Sequence, residues 1–174
     1  MINLLKRFLL KQKNIQYHFK GGNIGLQDFN LNEESGHLLG IMGGSGAGKS
    51  TLLNILNGNY SPTIGCVEVN GIDLHKDKKE LEGVIGFVPQ DDLLIEELTV
   101  FENLFYNSKL CFGNYSDKQI AKLCVQTLKS IGLYETKDLK VGSPLEKTIS
   151  GGQRKRLNIA LELIREPSIM FVDE

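Results

Sequence analysis

An α/β fold with a helical insertion is what three features of the sequence predict together. Apolar residues alternate with period two near the start, as in Ile15, Tyr17 and Phe19. The period turns helical between about residues 99 and 165, and a short apolar run returns at Ile169-Met170-Phe171-Val172. The chain has 174 residues, 41% apolar and 24% charged, a globular composition that argues against disorder. A chain of this length buries enough surface to fold without a metal or disulfide staple. Twenty basic and 21 acidic side chains leave a net charge of -1, so no overall field favours nucleic acid or an anionic membrane.

The elements follow in order. Residues 1–14 read as an N-terminal surface helix or linker, because the apolar stretch from Met1 to Lys11 is too short and too interrupted for a signal peptide. Ile15, Tyr17 and Phe19 share one face of a half-buried strand, Gly21-Gly22 turns the chain, and Leu26 to Leu31 is a second extended piece. After the turn Glu34-Ser35-Gly36, the run from His37 to Met42 is apolar nearly throughout and is predicted as a strand buried on both faces. Leu52, Leu53, Ile55 and Leu56 crowd one side of a helix stopped at Gly58. Cys66 to Val69 before Asn70-Gly71 is one arm of a hairpin, and Val84 to Val88 is a short strand ended by Pro89. Ile120, Leu123, Cys124, Thr127, Leu128 and Ile131 line one helix face, capped by Ser116 or Asp117 and ended by Gly132. Leu157, Ala160, Leu161 and Ile164 mark a further helix before Pro167, and a buried strand then ends in Asp173-Glu174. Cys66, Cys111 and Cys124 have neither zinc-ligand nor redox spacing and read as reduced thiols. No apolar run approaches the ~20 residues that cross a bilayer.

Gly43-Gly44-Ser45-Gly46-Ala47-Gly48-Lys49-Ser50 fits G-x-x-x-x-G-K-[ST], with a strand predicted before it and a helix after it. Glycines let successive N–H groups point inward around an anion, and the helix adds its positive end. Lys49 places a charge at the β- and γ-phosphates, and Ser50 offers a hydroxyl to Mg²⁺. A dinucleotide loop would need G-x-G-x-x-G, whereas the sixth position is Thr51 counted from Gly46 and Lys49 counted from Gly44. The loop alone does not say what the bound energy is used for.

Ser150-Gly151-Gly152-Gln153 opens the helix that carries Leu157 and supplies a second anion site of hydroxyl, glycines and helix N-terminus. Here the chain resembles the ATP-binding cassette family, whose signature is Leu-Ser-Gly-Gly-Gln, with Ile149 in place of the leading leucine. The resemblance spans roughly residues 15–174. It includes Gln90 in Phe87-Val88-Pro89-Gln90-Asp91-Asp92, matching the glutamine loop, and Ile169 to Glu174, matching the apolar strand that ends in two carboxylates. The stretches 88–92 and 98–104, and Arg154-Lys155-Arg156 after the signature, look most like the White/pigment (G-type) exporters and their bacterial relatives.

That resemblance implies a P-loop nucleotidase core of mixed or parallel sheet with flanking helices, joined by an antiparallel β subdomain and a helical signature subdomain. The corresponding divisions are 15–98 for the β-rich core, 99–165 for the signature subdomain and 166–174 for the acidic strand. It also implies ATP and Mg²⁺ as ligands. Gly43, Gly44, Ser45, Gly46, Ala47, Gly48, Lys49, Ser50 and Thr51 would hold the phosphates, while Ser50, Gln90 and Asp173 would hold the metal. Glu174 would orient or deprotonate the attacking water, and Gln90 would sense the metal and the γ-phosphate. Phe19 would stack on adenine, with Tyr17 as the same-face alternative and core packing as the competing explanation for both rings.

Two cassettes of the family pack head to tail, so Ser150, Gly151, Gly152 and Gln153 would close over the nucleotide of a second ATPase domain. The remaining expected partner is a transmembrane domain docked on Asp91 to Glu102, a segment that also fits a merely solvated loop; no nucleic acid is expected. The place implied is the cytoplasmic face of a membrane. The competing reading is a soluble, non-transport cassette ATPase of DNA repair, chromosome organisation or translation. The family's Pro-Thr, aspartate loop and switch histidine have no counterpart, since His18, His37 and His75 precede the helical region. The resemblance therefore implies a C-terminally truncated domain that hydrolyses ATP poorly alone.

Overall fold

The computed structural model describes residues 9–143 and 148–173. They form two compact units, one of residues up to 87 together with 168–173, and one of residues 88–167.

In the first unit, β1 (Leu9–His18) is central, with β2 (Ile24–Glu34) on one side and β3 (Ile64–Val69) on the other, and β4 (Ile72–Asp73) completes an antiparallel sheet of order β2-β1-β3-β4. Residues 9–14 are thus sheet, a correction to the expected N-terminal helix or linker. Leu10 and Gln12 face inward while Lys11 pairs outward with Asn32 and Glu68, an alternation that the three lysines at 6, 11 and 13 obscure. Residues 1–8 of that expectation lie outside the described residues.

A bulge at Asn14, whose φ is 48°, switches the inward face of β1 from Leu10 and Gln12 to Ile15. The bulged backbone presses on β3 at Gly65. A Cβ there would lie 2.3 Å from the Lys13 carbonyl oxygen, so only glycine fits. Asn70 and Gly71, at φ 53° and 82°, make the tight turn expected between β3 and β4. Helix α1 (Lys49–Leu56) buries Leu52, Leu53, Ile55 and Leu56 and ends before Gly58, at φ 82°. Ile15, Ile55, Leu56, Val67 and Val69 form the centre of one core. Each such side chain contributes about 1.5–3 kcal/mol by leaving water.

Strands β5 (Ile85–Val88) and β6 (Ile169–Val172) pair as a separate two-stranded sheet. β6 is half-buried rather than buried, and Val172 is exposed. The larger departure is at 37–42. This run is not a strand, and Leu38 and Met42 are fully exposed. Apolar character favours burial, but a strand also needs a ladder partner, and among the described residues none runs beside this segment. Only Ile41 packs against the core.

Among its described residues the second unit has three α-helices, α2 (Val100–Cys111), α3 (Asp117–Ser130) and α4 (Gly151–Leu163), where the sequence singles out two. Val100, Leu104, Ile120, Cys124, Leu128 and Leu157 are buried together at its centre. Each helix starts with a reciprocal capping box, Thr99 with Glu102, Ser116 with Gln119 and Ser150 with Gln153. Helix α3 ends in paired bonds from Leu133 N–H to the Leu128 carbonyl and from Gly132 N–H to the Lys129 carbonyl, with Gly132 at φ 68°. The approach to α2 runs antiparallel to 139–142: Thr99 bridges Lys140, Val141 N–H reaches the Leu98 carbonyl, and Gly142 N–H reaches the Glu96 carbonyl. These bonds place residues 88–98 with the helices, so the division falls at 87/88 rather than at the expected 98/99.

Candidate functional site

Helix α1 differs from the other three at its start. Its N-cap is Gly48, in the left-handed region at φ 85°, with no side chain to satisfy the first amides. Those N–H groups are left for a ligand, which is how a helix N-terminus collects an anion. Gly46, at φ 77°, turns the loop in the same sense. A Cβ on Gly48 would also lie 2.8 Å from the carbonyl oxygen of Gly25, so the position demands glycine for conformation and for space. Lys49 folds back over the loop and donates from Nζ to the carbonyl oxygens of Gly43 and Gly44, at 2.9 Å each. Its charge is thereby held at the mouth of the amide nest. Gly43 to Ala47 are exposed, and Thr51, the third residue of α1, is half-buried.

The pairing of β6 with β5 carries Asp173 to the first turn of α1, where the Ser50 hydroxyl donates to Asp173 Oδ1 at 3.2 Å. Asp173 is only 9% exposed. A hydroxyl and a carboxylate side by side are hard oxygen donors suited to Mg²⁺, which takes one or two carboxylates and completes its shell with phosphate oxygens and water. Among the described residues no three His, Cys, Asp or Glu side chains converge to hold a metal ion. The residues present fit Mg²⁺ carried with a phosphate ligand.

Phe19 and Tyr17 separate into different roles. The Tyr17 ring stacks on Tyr60, with centroids 5.4 Å apart and planes 10° apart, and packs against the core of the first unit. Phe19 meets Tyr17 edge-on at 5.2 Å and stays 43% exposed. Gly25, which the sequence reading passed over, lies between this ring and the phosphate loop. A Cβ there would come within 2.7 Å of Phe19, and its carbonyl abuts Gly48. Its only sequence signal is a glycine just inside the start of a strand, the mark of a close approach.

Among the remaining expected residues, Gln90 and Ser150 to Gln153 belong to the second unit. Gln90 is exposed just beyond β5 and Pro89. Ser150 Oγ accepts the Gln153 N–H at 3.2 Å while Gln153 Oε1 accepts the Ser150 N–H at 2.7 Å. The serine oxygen is used by its own helix, but its hydroxyl hydrogen remains able to donate to an anion. Gly151 and Gly152 are exposed with open space around them. Glu174 lies outside the described residues.

Arg154, which has no role assigned from the sequence, pairs with Asp92 of the expected docking segment Asp91 to Glu102. It lies on the first turn of α4, is 6% exposed and grips that carboxylate through two bonds of 3.0 Å. The sequence holds no local cue for that pair, which is 62 positions apart. Helix α2, by contrast, announces itself by Thr99-x-x-Glu102, the capping-box pattern.

Comparison with known proteins agrees with this geometry. The sequence profile described as ABC transporter matches residues 26–174. The ABC-type transporter claG of Penicillium crustosum is 40% identical over 141 residues, covering 80% of this chain and 19% of that protein. ABC transporter G family member 28 of Arabidopsis thaliana is 37% identical over 180 residues, covering 99% of this chain and 16% of its own length. The chain thus spans less than a third of the length of these curated relatives. Among solved structures, cbiO1 of Clostridium perfringens, part of the ABC transporter complex cbiONQ, superposes with a TM-score of 0.83 at 28% identity, over 97% of this chain and 66% of that one. With that profile covering most of its length, over a glycine nest flanked by Lys49, Ser50 and Asp173, the chain belongs to the ABC transporter family.

Proposed function

We propose that the chain is the ATP-binding and ATP-hydrolysing part of a transporter, most like a G-type exporter, in which nucleotide occupancy drives head-to-tail pairing with a second ATPase domain. The observation that carries this reading is the meeting of Ser50 and Asp173 at the base of a helix whose first amides have no side-chain cap. Names of relatives as ABC transporter G family members support the G-type class. Among the described residues no helix is long and apolar enough to cross a membrane. The reading pairs this unit with a transmembrane domain at the cytoplasmic face, as in other transporters of the family.

In this mechanism the amides of Gly46 to Ser50 receive the phosphates, and Lys49 turns its ammonium from the Gly43 and Gly44 carbonyls toward the β- and γ-oxygens. Ser50 and Asp173 hold the metal side of the site. Mg²⁺ held there would supply charge neutralisation for the phosphates. Phe19 offers its exposed face to adenine. Gln90 senses the metal and γ-phosphate, and Glu174 orients or deprotonates the attacking water. Ser150 and the Gly151 and Gly152 amides meet the nucleotide held by the partner, so losing the γ-phosphate loosens the pair.

The test is nucleotide titration of the intact protein with and without Lys49→Ala. A lost charge-assisted bond to phosphate costs about 1.5–3 kcal/mol, roughly ten- to hundredfold in affinity. Equal affinity of the two proteins would remove the basis for the reading.

A further inference from the structure

Arg154 is placed where two general effects oppose it. A cation in the first turn of a helix faces the positive end of the macrodipole, and a buried guanidinium loses its hydration. Yet Arg154 occupies that turn of α4 at 6% exposure. Four hydrogen bonds compensate: Nε and Nη2 donate to Asp92 Oδ2 and Oδ1 at 3.0 Å each, and Nη1 donates to the carbonyls of Val141, at 3.4 Å, and Gly142. Four of the five guanidinium donors are engaged. Well-packed apolar residues in place of both partners of such a pair often serve stability as well or better, so the charge pair points to geometry as its purpose.

The segments it joins give that purpose content. Asp92 is the second residue after Gln90, and Leu94 beyond it is anchored in the core of the second unit. At the other end, the Arg154 N–H is bonded to the Ser150 carbonyl at 2.9 Å, directly after the Ser150–Gln153 capping box. A planar fork on a carboxylate fixes both distance and angle, which a lysine or a single hydrogen bond does not.

Resting on the functional reading above, the geometry points to the Arg154–Asp92 pair as a rigid link between the Gln90 loop and the signature turn Ser150–Gln153, so that displacement of either segment is imposed on the other. Arg154 and Asp92 are positioning residues. They act on turnover through Gln90 and Ser150 and not by touching nucleotide.

The experiment uses the intact protein with Arg154→Lys, with Asp92→Asn as the second variant, since asparagine keeps the shape and one acceptor oxygen. Each is combined with Gln90→Ala, and nucleotide affinity, maximal ATPase rate and Tm are measured. The link predicts affinity within about twofold of the unsubstituted protein and a maximal rate lowered about tenfold or more. It also predicts that the combined variants are no slower than the slower single, because residues acting through one unit are non-additive. A pair that merely staples the helices would lower Tm and leave the rate of the folded protein within about twofold, with effects that multiply. Either of those results in both variants overturns the inference while leaving the functional reading intact. An absence of Lys49-dependent turnover in the unsubstituted protein overturns both.

Discussion

Ser50 donates its hydroxyl hydrogen to Asp173 Oδ1 across 3.2 Å, joining the first turn of α1 to the end of β6 over a sequence separation of 123. Asp173→Asn keeps the side-chain volume and one acceptor but removes the charge. The Mg²⁺ concentration for half-maximal ATPase activity is expected to rise about ten- to hundredfold, the scale for loss of a metal-orienting carboxylate. Metal titration of activity, beside metal-free nucleotide binding that stays unchanged, checks this. An unmoved Mg²⁺ midpoint would remove Asp173 from the site.

Two glycines in the left-handed region separate function from stability. Gly48→Ala strains a residue at φ 85° by about 1–3 kcal/mol and drives a methyl onto the Gly25 carbonyl, so nucleotide binding is expected to be lost. Gly65→Ala, at φ 86° with its Cβ 2.3 Å from the Lys13 carbonyl, is expected to lower Tm more while the folded fraction binds nucleotide normally. Thermal melts alongside nucleotide titration distinguish them. The reverse pattern would contradict the assignment of the loop.

Phe19→Ala is expected to weaken ATP binding by about 1–3 kcal/mol, the range for aromatic–base stacking, with little change in Tm because the ring is exposed. Tyr17→Ala should do the opposite, since its ring lies on Tyr60 and the core. Comparing affinity and Tm for the two variants settles which ring meets the base.

Acid should act on α2 through Glu102. Its carboxyl lies below the usual range because the Thr99 N–H donates to it at 2.8 Å, with the Thr99 hydroxyl and Lys140 adding to the effect against a smaller upward pull from burial. A depressed folded-state value means that the stabilisation is complete above the unfolded value of about 4.3 and is lost as pH falls through the folded one. Tm measured from neutral pH into that acid range should fall more steeply for the unsubstituted protein than for Glu102→Gln, which keeps a hydrogen-bonding oxygen that does not titrate. Parallel curves would contradict the assignment.

Local chemistry explains what was legible without coordinates. The Asn70-Gly71 turn, the stop at Gly132, the Ser116 cap and the loop from Gly43 to Ser50 each depend on φ preferences and hydrogen bonds within a few residues, so the amino-acid order alone determined them. Helix α2 is equally legible from Thr99-x-x-Glu102. Tertiary structure decided the rest. Whether 37–42 becomes a strand depends on a ladder partner, and which face β1 presents depends on the bulge at Asn14 pressing against Gly65. Ser50 finds Asp173, and Arg154 finds Asp92, only after packing brings together segments far apart in the chain. Hydrogen-bond geometry of that kind is set by the positions of whole elements, which residue type and spacing do not encode.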